Sequence, residues 1–211
     1  MRVSSRSSNS GPSPRLIRRS PQQDRSTRRV EAFLAAAETL FAEEGFEGAT
    51  MTQVAERAGS SIGALYSYFP DKKALALALL DAYAAQIEAH WRPLFDAIEK
   101  LAAGEFAERF IDLFLDFVRE HPAYLQLIAA PIRLRRSAAA KRAFRVSLIE
   151  ALRRRSAGLS PERAELGANV MLQMVRGMMQ MYTDAAPGSK AAVIAEFKTA
   201  MRVYVRTLFV E

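Results

Sequence analysis

The sequence contains no cysteine among its 211 residues, which excludes disulfide bonds, thiolate zinc sites and cysteine nucleophiles. It has only two histidines, no His-Glu-x-x-His pair, no glycine-rich phosphate loop after a strand and no nucleophile elbow, so the common hydrolase and nucleotide sites are missing. Carboxylates are plentiful, yet none forms an apolar-flanked pair suited to acid and base catalysis. We therefore expect no enzyme, no metal site and no cofactor.

Long apolar runs are also lacking. No stretch approaches the roughly 18 apolar residues that span a membrane, although 50% of the residues are hydrophobic. The arginines near the start lead into a polar stretch, which argues against a secretory signal, and the segment lacks the amphipathic period of an organelle transit peptide. Together with the missing cysteine, these features favour a cytoplasmic protein that does not bind membranes.

The most informative pattern is TMTQVAERAGSSIGALYSYFPDKK, which starts at Thr50. Thr50 and Gln53 have the spacing of a capping box, which predicts a helix beginning near Met51. Gly59 can adopt the left-handed conformation that ends this helix, and a second helix is expected over about residues 61 to 69. The pattern predicts a helix-turn-helix, although helical hairpins that bind proteins instead of DNA share this spacing.

The same pattern predicts how the two short helices pack. Ala55 is small at the point where the second helix has to cross closely. Leu65 and Phe69 are four residues apart, so they share the inner face of the second helix. We expect these three side chains to close a common core.

With a long amphipathic helix before it, this segment resembles the DNA-binding head of the tetracycline-repressor (TetR) family of bacterial regulators. The resemblance is carried by T-x-x-x-V-A-x-x-A-G and then S-I-G-A-L-Y-S-Y-F-P-D-K-K-A-L, over about residues 28 to 83. It implies an all-α, dimeric, ligand-responsive transcription factor, usually a repressor, that binds a palindromic operator. The alternative is a helical dimeric interaction module that uses the hairpin for protein contacts.

The resemblance also assigns DNA contacts. The second short helix enters the major groove, where Gly63 permits close approach and Ile62 and Ala64 contact thymine methyl groups. Thr52, Tyr66, Tyr68 and Lys72 are expected on phosphates, and Gln53 either reads a base or only caps its helix. Residues 60 to 69 contain no Arg, Lys, Asn or Gln, so DNA shape is expected to add specificity. The expected DNA-binding residues are Thr52, Gln53, Ile62, Gly63, Ala64, Tyr66, Ser67, Tyr68 and Lys72.

Positive charge is concentrated at the start of the chain. Residues 1 to 29 hold eight arginines and one acid, whereas residues 30 to 80 hold three basic and seven acidic residues. An acidic DNA-binding head needs cations from elsewhere, and the Ser-, Pro- and Arg-rich start predicts a disordered arm that binds phosphates. A solvated tail or an overlong translation start is the equally weighted alternative.

Beyond the arm the apolar periodicity is helical throughout. It predicts one helix that ends before Gly45, a connecting helix from about Asp71 that ends before Pro93, and six more at about 94–102, 105–119, 122–130, 137–156, 161–184 and 189–209. We expect an all-α fold with three parts. These are a disordered basic arm (1–27), a helix-turn-helix domain (28–75) and a helical ligand-binding and dimerisation domain (76–211).

The last two predicted helices are apolar on two faces. One face can close the core of the body while the other meets the same pair in a second subunit, and a monomeric bundle is the alternative. The expected interface residues are Val193, Phe197, Met201 and Tyr204.

The effector pocket has a weaker signature. Four methionines recur at residues 171, 174, 178 and 181, a flexible stripe that suits an irregular apolar surface but is more often plain core. Polar side chains beside apolar runs can orient a small, mainly apolar ligand. The pocket candidates are Trp91, Tyr124, Gln126, Asn169, Gln173, Met174 and Met178. Residues 133–155 hold nine basic residues and one acid, which is either a solvated helix face, an anion site or a second DNA contact.

Overall fold

The computed structural model of the protein describes residues 21–130 and 138–209, and every regular element in these ranges is helical. The all-α fold class is therefore confirmed. The α-helices are α1 (Pro21–Gly48), α2 (Met51–Arg57), α3 (Ile62–Tyr68), α4 (Lys72–Asp96), α5 (Ala103–Glu120), α6 (Pro122–Ala129), α7 (Ala138–Arg155), α8 (Pro161–Asp184) and α9 (Lys190–Arg206). Two short 3-10 helices, Ile98–Lys100 and Pro187–Ser189, lie between α4 and α5 and between α8 and α9.

The helix-turn-helix begins with the predicted capping box. Thr50 Oγ1 accepts a hydrogen bond from the Gln53 backbone N–H at 3.3 Å, and Gln53 Oε1 accepts one from the Thr50 backbone N–H at 2.8 Å. Gly59 has a φ of +62°, the left-handed conformation expected at the end of α2. Ser61 then caps α3 by accepting from the N–H of Ala64 at 3.2 Å. The start of α2 and its glycine end are thus confirmed.

The two short helices share the core that the sequence predicted. Ala55, Leu65 and Phe69 are all buried, and α2 packs against both α1 and α3. Phe33 of α1 meets the Phe69 ring edge-on at a centroid distance of 6.4 Å, a favourable aromatic geometry. Helices α1, α2 and α3 therefore form one packed unit, the head, in which α3 is held by its inner face.

α1 is longer than expected at its start. It begins at Pro21, so residues 21–27 are helical and not part of a disordered arm; residues 1–20 lie outside the described residues. The extension is tied to α3 because Ser26 Oγ donates to the Tyr68 hydroxyl at 3.3 Å. At its other end α1 kinks at Gly45, whose φ is +72°, which is where the apolar stripe predicted the end of the helix.

α4 connects head and body, and it continues to Asp96 instead of ending before Pro93. A proline inside a helix leaves the carbonyl four residues earlier without its hydrogen bond, and Ala89 at that position is exposed, so solvent can satisfy that carbonyl. The helix expected over 94–102 is consequently wrong. The end of α4 and the turn Ile98–Lys100 occupy that segment.

The body consists of α4 to α9, and α8 and α9 come close together in it. A Cβ built on Gly167 of α8 would lie 2.8 Å from Leu208 Cδ2, and Leu208 is fully buried. α9 is also held by α5, through Lys198 with Asp112 and through Arg202 with Glu108 at 3.1 Å. A side chain at position 167 would therefore force the buried Leu208 side chain to move.

Candidate DNA-binding interface

The outer face of α3 is exposed and uncharged. Ile62 and Tyr66 keep 38% and 50% of their surface accessible, and Gly63 and Ser67 are exposed as well. A Cβ added to Gly63 would have no atom within 4 Å, so this glycine is not required by packing. Ala64 is half-buried against the core of the head. α3 thus offers a smooth, small-residue surface whose backbone another molecule can approach closely.

The side chains expected on phosphates lie around this face. Thr52 is exposed in the first turn of α2, and Tyr68, half-buried, has its hydroxyl next to Ser26. Lys72 donates to the backbone carbonyls of Glu47 and Ala49 at 3.0 and 2.8 Å. An ammonium group has three donors, so one remains after these two bonds. The phosphate contact of Lys72 stays a prediction, and the structure adds a role in capping the end of α1.

Gln53 is fully engaged inside the head. Besides the capping box, its Oε1 accepts from Thr50 Oγ1 at 2.7 Å, and its Nε2 donates to both carboxylate oxygens of Glu44 at 3.1 Å. Arg57 likewise forms an ion pair with Glu43 at 2.8 Å. Of the two roles expected for Gln53, base contact and helix capping, the structure supports helix capping.

Head and body meet at a shared carboxylate that the sequence reasoning missed. Glu38 of α1 accepts a hydrogen bond from the Tyr83 hydroxyl of α4 at 2.7 Å, and the same oxygen lies 2.9 Å from His121 Nδ1, between α5 and α6. Burial of Tyr83, then its hydrogen bond to Glu38 and the negative charge there, raises the pKa of the hydroxyl well above its ordinary value. These residues are 45 and 83 positions from Glu38, so helical periodicity gives no signal for them.

The seven predicted pocket residues do not line one cavity. Trp91, Tyr124 and Met178 are buried in the body, whereas Gln126 is exposed and its side-chain oxygen lies 3.6 Å from a Cβ built on Gly45. The outer face of α8 carries the rest, in a shallow, open apolar depression. That depression is lined by Leu166, Asn169, Val170, Gln173 and Met174. The prediction that these residues share one pocket was wrong, because the apolar stretch of sequence in α8 supplies both its buried face and its outer face.

Trp91 lies at the centre of an aromatic cluster in the body. Its ring centroid is 6.1 Å from that of Phe110, 5.4 Å from that of Phe144 and 5.3 Å from that of His90. The indole Nε1 of Trp91 and the Nε2 of His90 are both buried and have no hydrogen-bond partner among the described residues. Buried polar groups normally have a partner, so these two nitrogens are unusual in this apolar cluster.

The predicted dimer residues divide between surface and core. Val193, Phe197 and Tyr204 are half-buried, but Met201 is fully buried within its own subunit and is wrong as an interface residue, because this position of α9 turns toward the core. The methionine stripe divides similarly, since Met171 and Met178 are buried while Met181 is 54% exposed. The exposed apolar face of α8 runs from Leu166 to Met181.

The basic segment at 133–155 is only partly described, since residues 131–137 lie outside the described ranges. Arg154 donates to the carbonyl of Phe95 at 2.8 Å, and the Arg155 guanidinium lies 4.9 Å from the centroid of the Phe209 ring. Arg153 is exposed. Arg154 and Arg155 therefore have structural contacts in the body.

The described residues contain neither a metal-ligand cluster nor a membrane-spanning helix. In residues 21–130 and 138–209 no three histidine, aspartate or glutamate side chains are placed as metal ligands. None of the helices in the same ranges combines the length and the apolar character that crossing a bilayer requires.

Curated relatives match part of the chain. The HTH-type transcriptional repressor AcnR of Corynebacterium glutamicum is 41% identical over 64 residues, covering 30% of this chain and 34% of the relative. The HTH-type transcriptional regulator RutR of Escherichia coli is 38% identical over 93 residues, covering 44% and 42%. The chain therefore spans between a third and a half of the length of these relatives.

Solved structures match over most of the chain. A TetR-family transcriptional regulator from Pectobacterium atrosepticum superimposes with a TM-score of 0.67 at 18% identity, covering 92% of this chain and 99% of the other. The transcriptional regulator FadR of Bacillus subtilis, in complex with stearoyl-CoA, gives a TM-score of 0.62 at 15% identity, covering 83% and 97%. At these identities the likeness establishes the fold.

Two family models match this chain, one on each side of residue 80. The model for bacterial regulatory proteins of the tetR family matches residues 33–79, which contain the helix-turn-helix. The model for the tetracyclin repressor-like C-terminal domain matches residues 104–204, from α5 to α9. Because the two matches together span well over half of the chain and agree with the fold of head and body, the chain belongs to the TetR family of bacterial regulatory proteins.

Proposed function

We propose that the protein is a cytoplasmic, ligand-responsive transcriptional regulator, acting as a repressor, that binds a palindromic DNA operator as a dimer. The observation that carries the proposal is the outer face of α3, which is exposed, uncharged and small at Gly63 on a helix whose inner face is packed against α1. Such a helix fits the major groove of B-DNA. The known membership in a family of regulatory proteins supports it.

The dimer is proposed to form through α8 and α9. Leu166 and Met181 expose more than half of their surface near the two ends of α8. Phe197 of α9, half-buried, lies 3.8 Å from a Cβ built on Gly177, about one turn before Met181. Exposed apolar faces on two adjacent helices suit a four-helix interface with two-fold symmetry. A two-fold dimer presents two α3 helices, which requires a palindromic site.

The effector is proposed to bind in the body near Trp91. Trp91 lies against the rings of Phe110 and Phe144, and its buried Nε1 has no hydrogen-bond partner among the described residues. This environment suits a small, mainly apolar molecule that carries a hydrogen-bond acceptor. α4 carries Trp91 at one end and begins beside α3 at the other. A shift of α4 on binding changes the separation of the two heads, and that separation has to match successive major grooves about 34 Å apart.

Selection of bound sequences from random duplex DNA tests this function. The expected product is a palindrome whose half-sites lie one helical turn, or a multiple of it, apart. Failure to enrich any sequence from the full-length dimer would contradict the proposal. Trp91 is the only tryptophan, so its fluorescence reports candidate effectors directly, and compounds that change it are expected to release the selected duplex.

A further inference from the structure

We infer that Ser67 of α3 reads one base pair of each half-site by accepting a hydrogen bond from an exocyclic amino group, adenine N6 or cytosine N4. The inference rests on the proposed function and deepens it, because it names the base chemistry that the uncharged face of α3 recognises. Ser67 is exposed on that face. The sequence predicts it at the interface without indicating which group of the DNA it contacts.

The proton of the Ser67 hydroxyl is already used inside α3. Ser67 Oγ donates to the backbone carbonyl of Ala64 at 2.6 Å, a normal length for a hydrogen bond between two oxygens. A serine hydroxyl has one donor and two acceptor lone pairs. Because both partners belong to α3, the approach of DNA does not require this bond to break. Ser67 therefore meets a base as an acceptor.

Ser67 lies on the part of α3 that a duplex can approach closely. It follows Gly63 by four residues, so the two share the outer face of the helix. A Cβ built on Gly63 has no atom within 4 Å, which means that no neighbouring side chain covers the backbone there. The side chain of Ser67 is short, so its hydroxyl reaches a base only when the backbone comes near, and Gly63 permits that approach.

An acceptor at this position distinguishes the bases in the major groove. Adenine and cytosine present amino donors at N6 and N4, whereas guanine and thymine present the acceptors O6 and O4. Opposite a keto oxygen, the Ser67 hydroxyl would place two lone-pair oxygens together with no proton between them. Each base pair has one amino and one keto group, so Ser67 is expected to fix the orientation of the pair that it contacts.

Two side chains of α2 that could read bases instead are engaged within the head. Gln53 donates to both carboxylate oxygens of Glu44, and Arg57 forms an ion pair with α1. Residues 60–69 contain no Arg, Lys, Asn or Gln, the side chains that most often make bidentate contacts with purines. Direct readout by α3 therefore depends on short side chains, and Ser67 supplies an exposed acceptor among them.

A thermodynamic cycle between protein and DNA tests the inference. Selection from random duplex DNA with the full-length wild type and with Ser67→Ala identifies the base pair of each half-site whose orientation depends on Ser67. The amino-bearing base of that pair is then replaced by an analogue without the amino group, purine for adenine or 2-pyrimidinone for cytosine. The affinities of both proteins for both duplexes complete the cycle.

The two changes are expected to be coupled. In the wild type, loss of the amino group should weaken binding by roughly 3- to 10-fold per half-site, the usual contribution of one neutral hydrogen bond. Ser67→Ala should weaken binding to the unmodified duplex by a similar factor, and it should then respond little to the analogue. Any effect of the analogue on the duplex itself is common to both proteins and cancels. Alanine favours the helix and Ser67 is exposed, so the variant should fold.

Tyr66→Phe is the matched control, because it removes a hydroxyl from the same exposed face of α3. The Tyr66 hydroxyl is assigned to a phosphate, and phosphate contacts do not read bases. This variant should therefore bind all sequences more weakly and keep the wild-type response to the analogue.

The inference is overturned if Ser67→Ala selects every base pair as the wild type does, or if the analogue weakens both proteins by the same factor. Coupling between Ser67 and the keto group of the opposite base would also overturn it, because Ser67 would then be a donor. If the wild type enriches no duplex, the proposed function fails first. A wild type that enriches a palindrome but shows no coupling at Ser67 contradicts this inference alone.

Discussion

Glu38 joins three helices through one carboxylate, with the Tyr83 hydroxyl at 2.7 Å and His121 Nδ1 at 2.9 Å. Burial of Tyr83 and the bond to Glu38 raise the pKa of its hydroxyl above the ordinary value, so Tyr83 remains a neutral donor at physiological pH. The Tyr83 ring also packs edge-on against Phe117, at a centroid distance of 6.0 Å. The donor is thus held rigidly where α1 of the head meets α4 and the body.

Replacing Tyr83 by phenylalanine keeps this packing and removes the donor. A hydrogen bond to a charged group contributes about 1.5–3 kcal/mol, and Glu38 keeps its contact with His121, so we expect the free energy of unfolding at pH 7 to fall by about 1–2 kcal/mol. Denaturant unfolding measures this. Tyr66→Phe is the control, because Tyr66 is 50% exposed and its loss should change stability by less than about 0.5 kcal/mol.

Wild type and Tyr83→Phe are also expected to differ in how their free energy of unfolding depends on pH. The raised pKa of Tyr83 means that its contribution is complete below the unfolded tyrosine pKa of about 10 and is lost as pH rises toward the folded pKa. Above pH 10 the wild type should lose about 1.4 kcal/mol per pH unit relative to Tyr83→Phe. A difference between the two chains that stays constant from pH 9 to 11 would show that Tyr83 does not keep its proton in the fold.

Substitutions at two glycines of the head are expected to separate effects on stability from effects on DNA binding. Gly59 has a φ of +62°, so Gly59→Ala should lower the free energy of unfolding by about 1–2 kcal/mol. Gly63 is helical with open space around it, so Gly63→Ala should leave stability unchanged or raise it by up to about 1 kcal/mol. On the proposed function Gly63→Ala nevertheless weakens duplex binding, because the added methyl group lies on the groove side. Unfolding and gel-shift titrations of both variants check this, and equal duplex affinity for Gly63→Ala and wild type would contradict the assignment.

At the scale of elements, local chemistry determines what the sequence predicts well. The start of α2 follows from the hydroxyl and amide of Thr50 and Gln53 three residues apart, and the start of α8 follows from Ser160, which accepts from the Arg163 N–H at 3.2 Å. The predicted end of α4 was wrong. A proline is tolerated inside this helix because that part of α4 is exposed to solvent, and the exposure depends on tertiary packing.

The same limit explains the misassigned site residues. Met201 belongs to an apolar stripe of α9 that sequence reasoning assigned to the interface, but α9 is rotated so that this residue enters the core. Asn169 and Gln173 share α8 with the buried Met178 and lie on its outer face. Which of two apolar faces turns inward is decided by neighbouring helices, and periodicity in one helix contains no information about them.

The outer face of α8 yields a prediction about assembly. Leu166→Glu together with Met181→Glu places two carboxylates on positions that are 56% and 54% exposed in the single subunit, so the fold should tolerate them. In the proposed dimer they are buried without partners, which costs several kcal/mol. We expect light scattering to show a monomer, and circular dichroism to show the helix content of the wild type. Val146→Glu, at a position of α7 that is 40% exposed, is the control, and a double variant that remains dimeric places the interface elsewhere.

In the whole molecule, the proposed function depends on two heads held at a fixed distance. Each head alone contacts one half-site through the short, uncharged α3, so one half-site offers little affinity. Linking two heads through α8 and α9 makes the second contact intramolecular, which raises the overall affinity by about 10²–10⁴ without any new contact. Dimer formation, more than the affinity of a single head, should therefore determine whether an operator is occupied.

The monomeric variant tests this directly. If Leu166→Glu with Met181→Glu gives a folded monomer, its affinity for the selected palindrome should fall by at least about 100-fold, while a single half-site should bind the variant and the wild-type head equally weakly. Repeated selection should enrich the half-site without the fixed spacing of about 34 Å between half-site centres. Val146→Glu should retain wild-type affinity and spacing. A monomer that still binds the palindrome with wild-type affinity would mean that one head carries the recognition, and that head separation, and with it the proposed route from effector to DNA, does not control the protein.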